Sequence, residues 1–166
     1  MEVQSPQPMQ RTTLLLFCLM LVVGARDASA DLTAFVGATQ TPSTRTAGGV
    51  ALSISLLFVG FEFEYSDTRE DAAAEAPGLR SGMFNIQVQT PNVGGVRLYG
   101  TVGGGLYQER LSGHRQTNLG GNVGGGVKIP IAGPIGVRLD YRVFMLGGDA
   151  RHTNLQRMYA GFNLAF

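Results

Sequence analysis

The sequence predicts an all-β fold, an eight-stranded antiparallel up-and-down barrel, on three observations. Apolar residues recur at every second position over most of the chain. Long polar connections alternate with short ones. Charge and glycine share one face of the alternating segments, while large apolar side chains take the other. Composition agrees with this. The 166 residues make one domain's length of chain. Their 24 glycines are about twice the usual share of about 7%. With 44% apolar and only 15% charged residues, that excess does not belong to a disordered tail, and no Gly-X-Y period runs through it. A net charge of +1 gives no whole-molecule attraction for nucleic acid.

The N-terminal segment reads as an export signal. Residues 14–25, LLLFCLMLVVGA, form an apolar run preceded by Arg11 and followed by Ala28-Ser29-Ala30, which predicts cleavage before Asp31. Twelve residues are too few for a membrane-spanning helix, which needs about 20. Glu2 is unusual in such a leader, and Met9 offers a second start that leaves MQRTT ahead of the run. Cys18 lies inside the apolar run behind the bulky Phe17, and reads as a small hydrophobe in a discarded segment. The expected domains are therefore a leader over 1–30 and a barrel over 31–166, the latter without any Cys.

Each strand follows from its own alternation. Two segments, 32–39 and 49–56, open the barrel region. In the third, Val59, Phe61, Phe63 and Tyr65 oppose Gly60, Glu62, Glu64 and Ser66. Phe84, Ile86 and Val88 then oppose Met83, Asn85, Gln87 and Gln89. Val96, Leu98, Val102 and Leu106 share a face opposite Arg97, Tyr99, Thr101 and Tyr107. Leu119, Val123, Val127 and Ile129 oppose Asn118, Asn122 and Lys128. Ile135, Val137, Leu139, Tyr141, Val143 and Met145 oppose Gly136, Arg138, Asp140, Arg142 and Phe144. The last segment sets Met158, Ala160, Phe162, Leu164 and Phe166 against Arg157, Tyr159, Gly161 and Asn163. A short alanine stretch at 72–76 is the longest helical signal. The connections 40–48, 67–80, 108–116 and 147–155 are polar and nine or more residues long, whereas 57–58, 90–95 and 130–134 are six or shorter. In an antiparallel meander this puts every long loop at one end, as in a membrane barrel with outer loops and short inner turns. The join at 57–58 carries no turn residue.

Alternation alone does not say which face is outside. The polar set holds Glu62, Glu64, Arg97, Lys128, Arg138, Asp140, Arg142 and Arg157, interleaved with Gly60, Gly103, Gly105, Gly120, Gly124, Gly126, Gly136 and Gly161. An eight-stranded lumen is only just wide enough for side chains, so long charged groups there require neighbours of minimal size. On a wetted outer surface the same glycines would merely weaken the strands. The apolar set therefore faces hydrocarbon, and Glu62 and Glu64 are expected to meet some of Arg97, Arg138 and Arg142 across the axis, closing the lumen to ions.

The last eight residues, Tyr159-Ala160-Gly161-Phe162-Asn163-Leu164-Ala165-Phe166, look like the assembly signal of outer-membrane barrels. With the leader and the strand count, the chain from Asp31 to Phe166 resembles the small outer-membrane β-barrel family of the OmpA and OmpX type. The resemblance implies insertion by the barrel assembly machinery, with Tyr159, Gly161, Phe162, Leu164 and Phe166 carrying the signal, and residence in the outer membrane among lipid and lipopolysaccharide. The departures are the absence of Trp and a thin aromatic girdle of Tyr65, Tyr107 and Phe144 towards one rim, with Phe58 and Phe166 towards the other.

Candidate chemistry is sparse. Glu109, Ser112 and His114 fall within one connection, and Asp149 and His152 within another, the residue types an acyl transfer uses. A polar loop explains them equally well, and no catalytic, cofactor or metal site is assigned. The Gly103-Gly105 and Gly124-Gly126 runs lack the Lys-Ser/Thr of a phosphate loop. Arg80, Arg110, Arg115, Arg151 and Arg157 gather at the loop end, where lipopolysaccharide phosphates would lie. The expected role is a rigid, non-enzymatic anchor presenting four loops, structural or adhesive. The alternatives are a lipid-A-modifying enzyme, a narrow channel, and a soluble exported barrel binding a ligand inside.

Overall fold

The structure, a computed structural model, describes residues 28–148 and 150–166. The apolar leader run, Cys18 and Asp149 lie outside the described residues. Eight strands follow one another: β1 (Ala28–Gln40), β2 (Arg45–Leu56), β3 (Val59–Thr68), β4 (Gly78–Gln89), β5 (Arg97–Leu111), β6 (His114–Ala132), β7 (Ile135–Leu146) and β8 (Asn154–Ala165). Each pairs antiparallel with the next, and β1 pairs with β8, so the sheet closes into an up-and-down barrel with no free edge. The β1–β8 register begins at Asp31↔Ala165. Removal of a leader ending at Ala30 would shorten β1 by the three residues paired with Leu56, Ser55 and Ile54, and would keep that register.

Strand parity sets what lies inside. Val59, Phe61, Leu139 and Phe162 are 42–56% exposed on the outer wall, whereas Glu62, Glu64, Arg138 and Arg142 are fully buried. A water-soluble barrel would reverse this arrangement, so the exterior is built for hydrocarbon and the soluble-carrier alternative falls.

The connections differ from expectation. The segments expected as loops at 40–48, 67–80, 108–116 and 147–155 contract to 41–44, 69–77, 112–113 and 147–153 because the strands run further. Polar residues still gain paired backbone groups beyond the hydrocarbon, and Gln108 Nε2 donates across the β5–β6 ladder to Thr117 Oγ1 at 3.2 Å. The third connection is a two-residue hairpin turn, with Ser112 at φ 50° and Gly113 at φ 87°. In the second, a turn of 3-10 helix covers Ala72–Ala74, its first turn capped by Asp71. The join at 57–58 is present as expected, with Leu57 left-handed at φ 56°.

The girdle also needs correction. Tyr107 and Phe144 are 1% and 2% exposed and point into the barrel. They share parity with Tyr99 and with Arg142, and period two overrides the preference of aromatic residues for a membrane rim.

Candidate functional site

The lumen is the most densely organised part of the molecule, and it is layered. In the middle, β3, β4, β5, β7 and β8 direct polar side chains at one another. Glu62 accepts from Arg138 Nη1 at 2.5 Å and Gln87 Nε2 at 2.8 Å on one oxygen, and from Arg142 Nη2 at 2.7 Å and Asn85 Nδ2 at 3.2 Å on the other. Asp140 accepts from Arg142 Nε at 2.9 Å and Arg138 Nη2 at 3.1 Å, and also from the Tyr99 hydroxyl. Glu64 pairs with Arg142 Nη1 at 3.1 Å and with Arg157. Three guanidinium groups thus face three carboxylates with no net charge. Their aromatic neighbours add contacts: the Arg138 guanidinium lies 4.7 Å from the Tyr99 ring centroid, and that of Arg157 lies 4.6 Å from Phe144. Glu62, Glu64, Arg138 and Arg142 have no exposed side-chain surface.

Towards the loop end, Leu79, Met83, Tyr107, Phe144, Leu146 and Leu155 form an apolar cluster above the ionic layer. Arg45 covers it, donating to Thr41 O at 2.7 Å and to Pro77 O. Towards the turn end, Lys128 Nζ donates to Asp31 Oδ2 at 2.5 Å.

Of the charges expected to share the lumen, Glu62, Glu64, Arg138, Asp140 and Arg142 come together, and Lys128 pairs separately. Arg97 does not join them. It is half-buried at the turn end and enters no ion pair among the described residues. The apolar cluster and Arg45 were not anticipated. Parity sets Tyr107 and Phe144 on the inward face, but not their packing together, and Arg45 falls in a segment expected as loop.

Glycine positions make the packing possible. A Cβ at Gly126 would sit 2.5 Å from Tyr99 Oη and 2.1 Å from Leu139 O, so only Gly lets the Tyr99 phenol cross to Asp140. In the terminal segment the Tyr159 ring stacks on Phe35 with centroids 4.0 Å apart, and Gly161 faces Thr33 and Phe35. Phe162, Leu164 and Phe166 point outward.

The loop end offers little chemistry. Glu109 is buried and accepts from Arg151 N at 3.4 Å, and Ser112 N donates to Glu70 at 2.9 Å. No hydrogen bond joins Ser112 to His114, or His114 to Glu109. The arginine cluster is largely spent: Arg80 and Arg110 share Asp67 at 2.7 and 2.9 Å. Arg157 is inside the barrel, again by parity, which leaves Arg115 and Arg151 exposed. Arg151 lies 3.8 Å from Glu75.

A closed barrel with a hydrocarbon-compatible wall and a neutralised, packed axis defines a transmembrane β-barrel of the smallest size class. Solved structures share this fold. Neisserial surface protein A aligns over 84% of this chain and 97% of its own, at 15% identity and a TM-score of 0.69. The N-terminal β-barrel domain of Pseudomonas aeruginosa OprF aligns over 83% and 97%, at 16% identity and a TM-score of 0.65. The outer-membrane enzyme PagL aligns over 81% and 98%, at 13% identity and a TM-score of 0.53. The chain therefore has the fold of the small eight-stranded outer-membrane barrels, a fold that carries surface proteins and at least one enzyme. No protein-family model and no curated protein matches the sequence.

Proposed function

We propose that this chain is an integral outer-membrane barrel with a closed lumen, acting as a non-enzymatic structural or adhesive protein that holds four loops outside the cell. The observation carrying this reading is the ionic layer: Glu62, Glu64, Arg138 and Arg142 are wholly buried and mutually neutralised, which suits a rigid plug and not a conduit. The turn end, where β1 begins and β8 ends, faces the periplasm in this reading, and β8 engages the barrel assembly machinery. At the opposite end the exposed Arg115 suits contact with lipopolysaccharide phosphates, whereas Arg80 and Arg110 are engaged by Asp67 and Arg151 lies beside Glu75. Likeness to a neisserial surface protein supports the surface role.

Cell fractionation with gel mobility measured before and after heating tests the location: a folded barrel in the outer-membrane fraction, shifting only when boiled, is expected. Planar-bilayer recording tests the plug, and steady large conductance from the folded protein would sink it. Fatty acid released from purified lipid A would instead move the reading to an enzyme.

A further inference from the structure

In the ionic layer three carboxylates match three arginines, and at the turn end the matching stops. Asp31 takes Lys128, and Arg97, the residue opposite Lys128 across β5 and β6, is left with neither a carboxylate nor a hydrogen bond. The turns at this end, 57–58, 90–96 and 133–134, contribute no carboxylate between them. Arg97 borders a cavity of about 410 Å³ lined also by Ser55, Gln89, Leu57, Phe58 and Pro91, with Ala28 and Ser29 of the leader closing one side. Ser55 and Gln89 are 2% and 4% exposed, yet Ser55 Oγ and Gln89 Oε1 have no hydrogen-bond partner. Gln89 Nε2 donates to Leu57 O at 3.4 Å, which leaves Oε1 as the free acceptor. Buried polar atoms without partners are unfavourable, and the two that converge on this cavity beside an unpaired guanidinium mark groups that a ligand completes.

Topology places these groups together. Gln89 pairs with Tyr99, and Arg97 lies two residues further along β5 on the same inward face. Gly60, between Ser55 and Gln87 in the ladder, adds no side chain to fill the space. An unpaired guanidinium suits a phosphate, which can take two parallel hydrogen bonds from it, and the Ser55 hydroxyl supplies another donor. The Gln89 carbonyl requires a donor from the ligand. Leu57 and Phe58, 60% and 53% exposed, make the rim apolar at the level where the hydrocarbon ends.

We propose that this vestibule binds a phosphodiester headgroup, with its phosphate on Arg97 and Ser55 and its ammonium or hydroxyl donor on Gln89 Oε1. The headgroup is that of an inner-leaflet phospholipid or a free glycerophosphodiester. Arg97, Ser55 and Gln89 all lie after Asp31 and stay in place when the leader is lost, whereas Ala28 and Ser29 leave with it and open the cavity towards the membrane surface. The lipid source rests on the membrane reading given above. Fractionation tests that reading separately, so the two fail independently.

The test uses protein purified from the membranes of expressing cells in mild detergent. Native mass spectrometry follows retained phosphatidylethanolamine, and calorimetric titration follows glycerophosphoethanolamine. Arg97→Gln, Gln89→Leu and the exposed loop-end control Arg69→Gln are compared after gel mobility verifies folding. One lipid per barrel is expected in the parent and control. Arg97→Gln should lose it, and titration affinity should fall about tenfold, the scale of one charge-assisted interaction. Arg97-dependent binding of the soluble diester without retained lipid would assign the free solute as the source. Binding of neither probe, or binding equal in the parent and Arg97→Gln, overturns the proposal.

Discussion

Single residues in the lumen are costly to change because each charge is held by several others. Glu62 accepts four side-chain hydrogen bonds, two of them from arginine. Glu62→Ala leaves Arg138 and Arg142 buried with too few partners, and should destabilise the barrel by about 3–5 kcal/mol in urea unfolding from lipid vesicles. A loss under about 1 kcal/mol would mean that water compensates there, contrary to a dry layer. Gly126 is a steric case. Gly126→Val pushes a side chain into the space of the Tyr99 hydroxyl, so a loss of about 1–3 kcal/mol is expected, with release of the Tyr99–Asp140 contact. Far-ultraviolet circular dichroism should stay β-like while the unfolding midpoint falls.

At the scale of the elements, turn chemistry and strand extension govern the ends of the barrel. The β2–β3 hairpin holds Leu57 in the left-handed region, which costs an L-residue roughly 1–2 kcal/mol. Leu57→Asn should therefore raise stability by about 1 kcal/mol, read as a higher urea midpoint with unchanged slope. A lowered midpoint would show that the exposed Leu57 side chain contributes more through contact with lipid than its backbone loses. At the other end, β5 and β6 carry their pairing out to Leu111↔His114, so the third connection projects as a hairpin. Ser112-Gly113 is the turn signal for this. Its reading as part of a nine-residue loop weighed polarity above turn geometry, and polar residues beyond the hydrocarbon are free to stay in strands.

For the whole molecule, the governing contrast is between a lipid-facing wall and a neutralised axis. Val102 pairs with Ile86 and Val123 within the apolar wall, so Val102→Arg should cost about 2–4 kcal/mol near the membrane midplane. Leu119→Arg, towards the loop end, should cost about 0–1 kcal/mol. Both are measured by the same vesicle unfolding, and equal losses would contradict the depth assignment. Period-two patterning by itself determined the strand count, the closed meander, and the face carrying Glu62, Arg138 and Gly126, because a strand's parity is a local property of the chain. Tertiary structure alone decided which charges meet. Glu62 and Arg142 are 80 residues apart in sequence and touch only once the sheet has curled shut. The same closure stacked Tyr107 and Phe144 into an apolar layer over the ionic one, and left Arg97 two residues short of the partners that serve Arg138. Parity assigns a side chain to the inside, but its height along the axis depends on the register of all eight strands, which no single segment specifies.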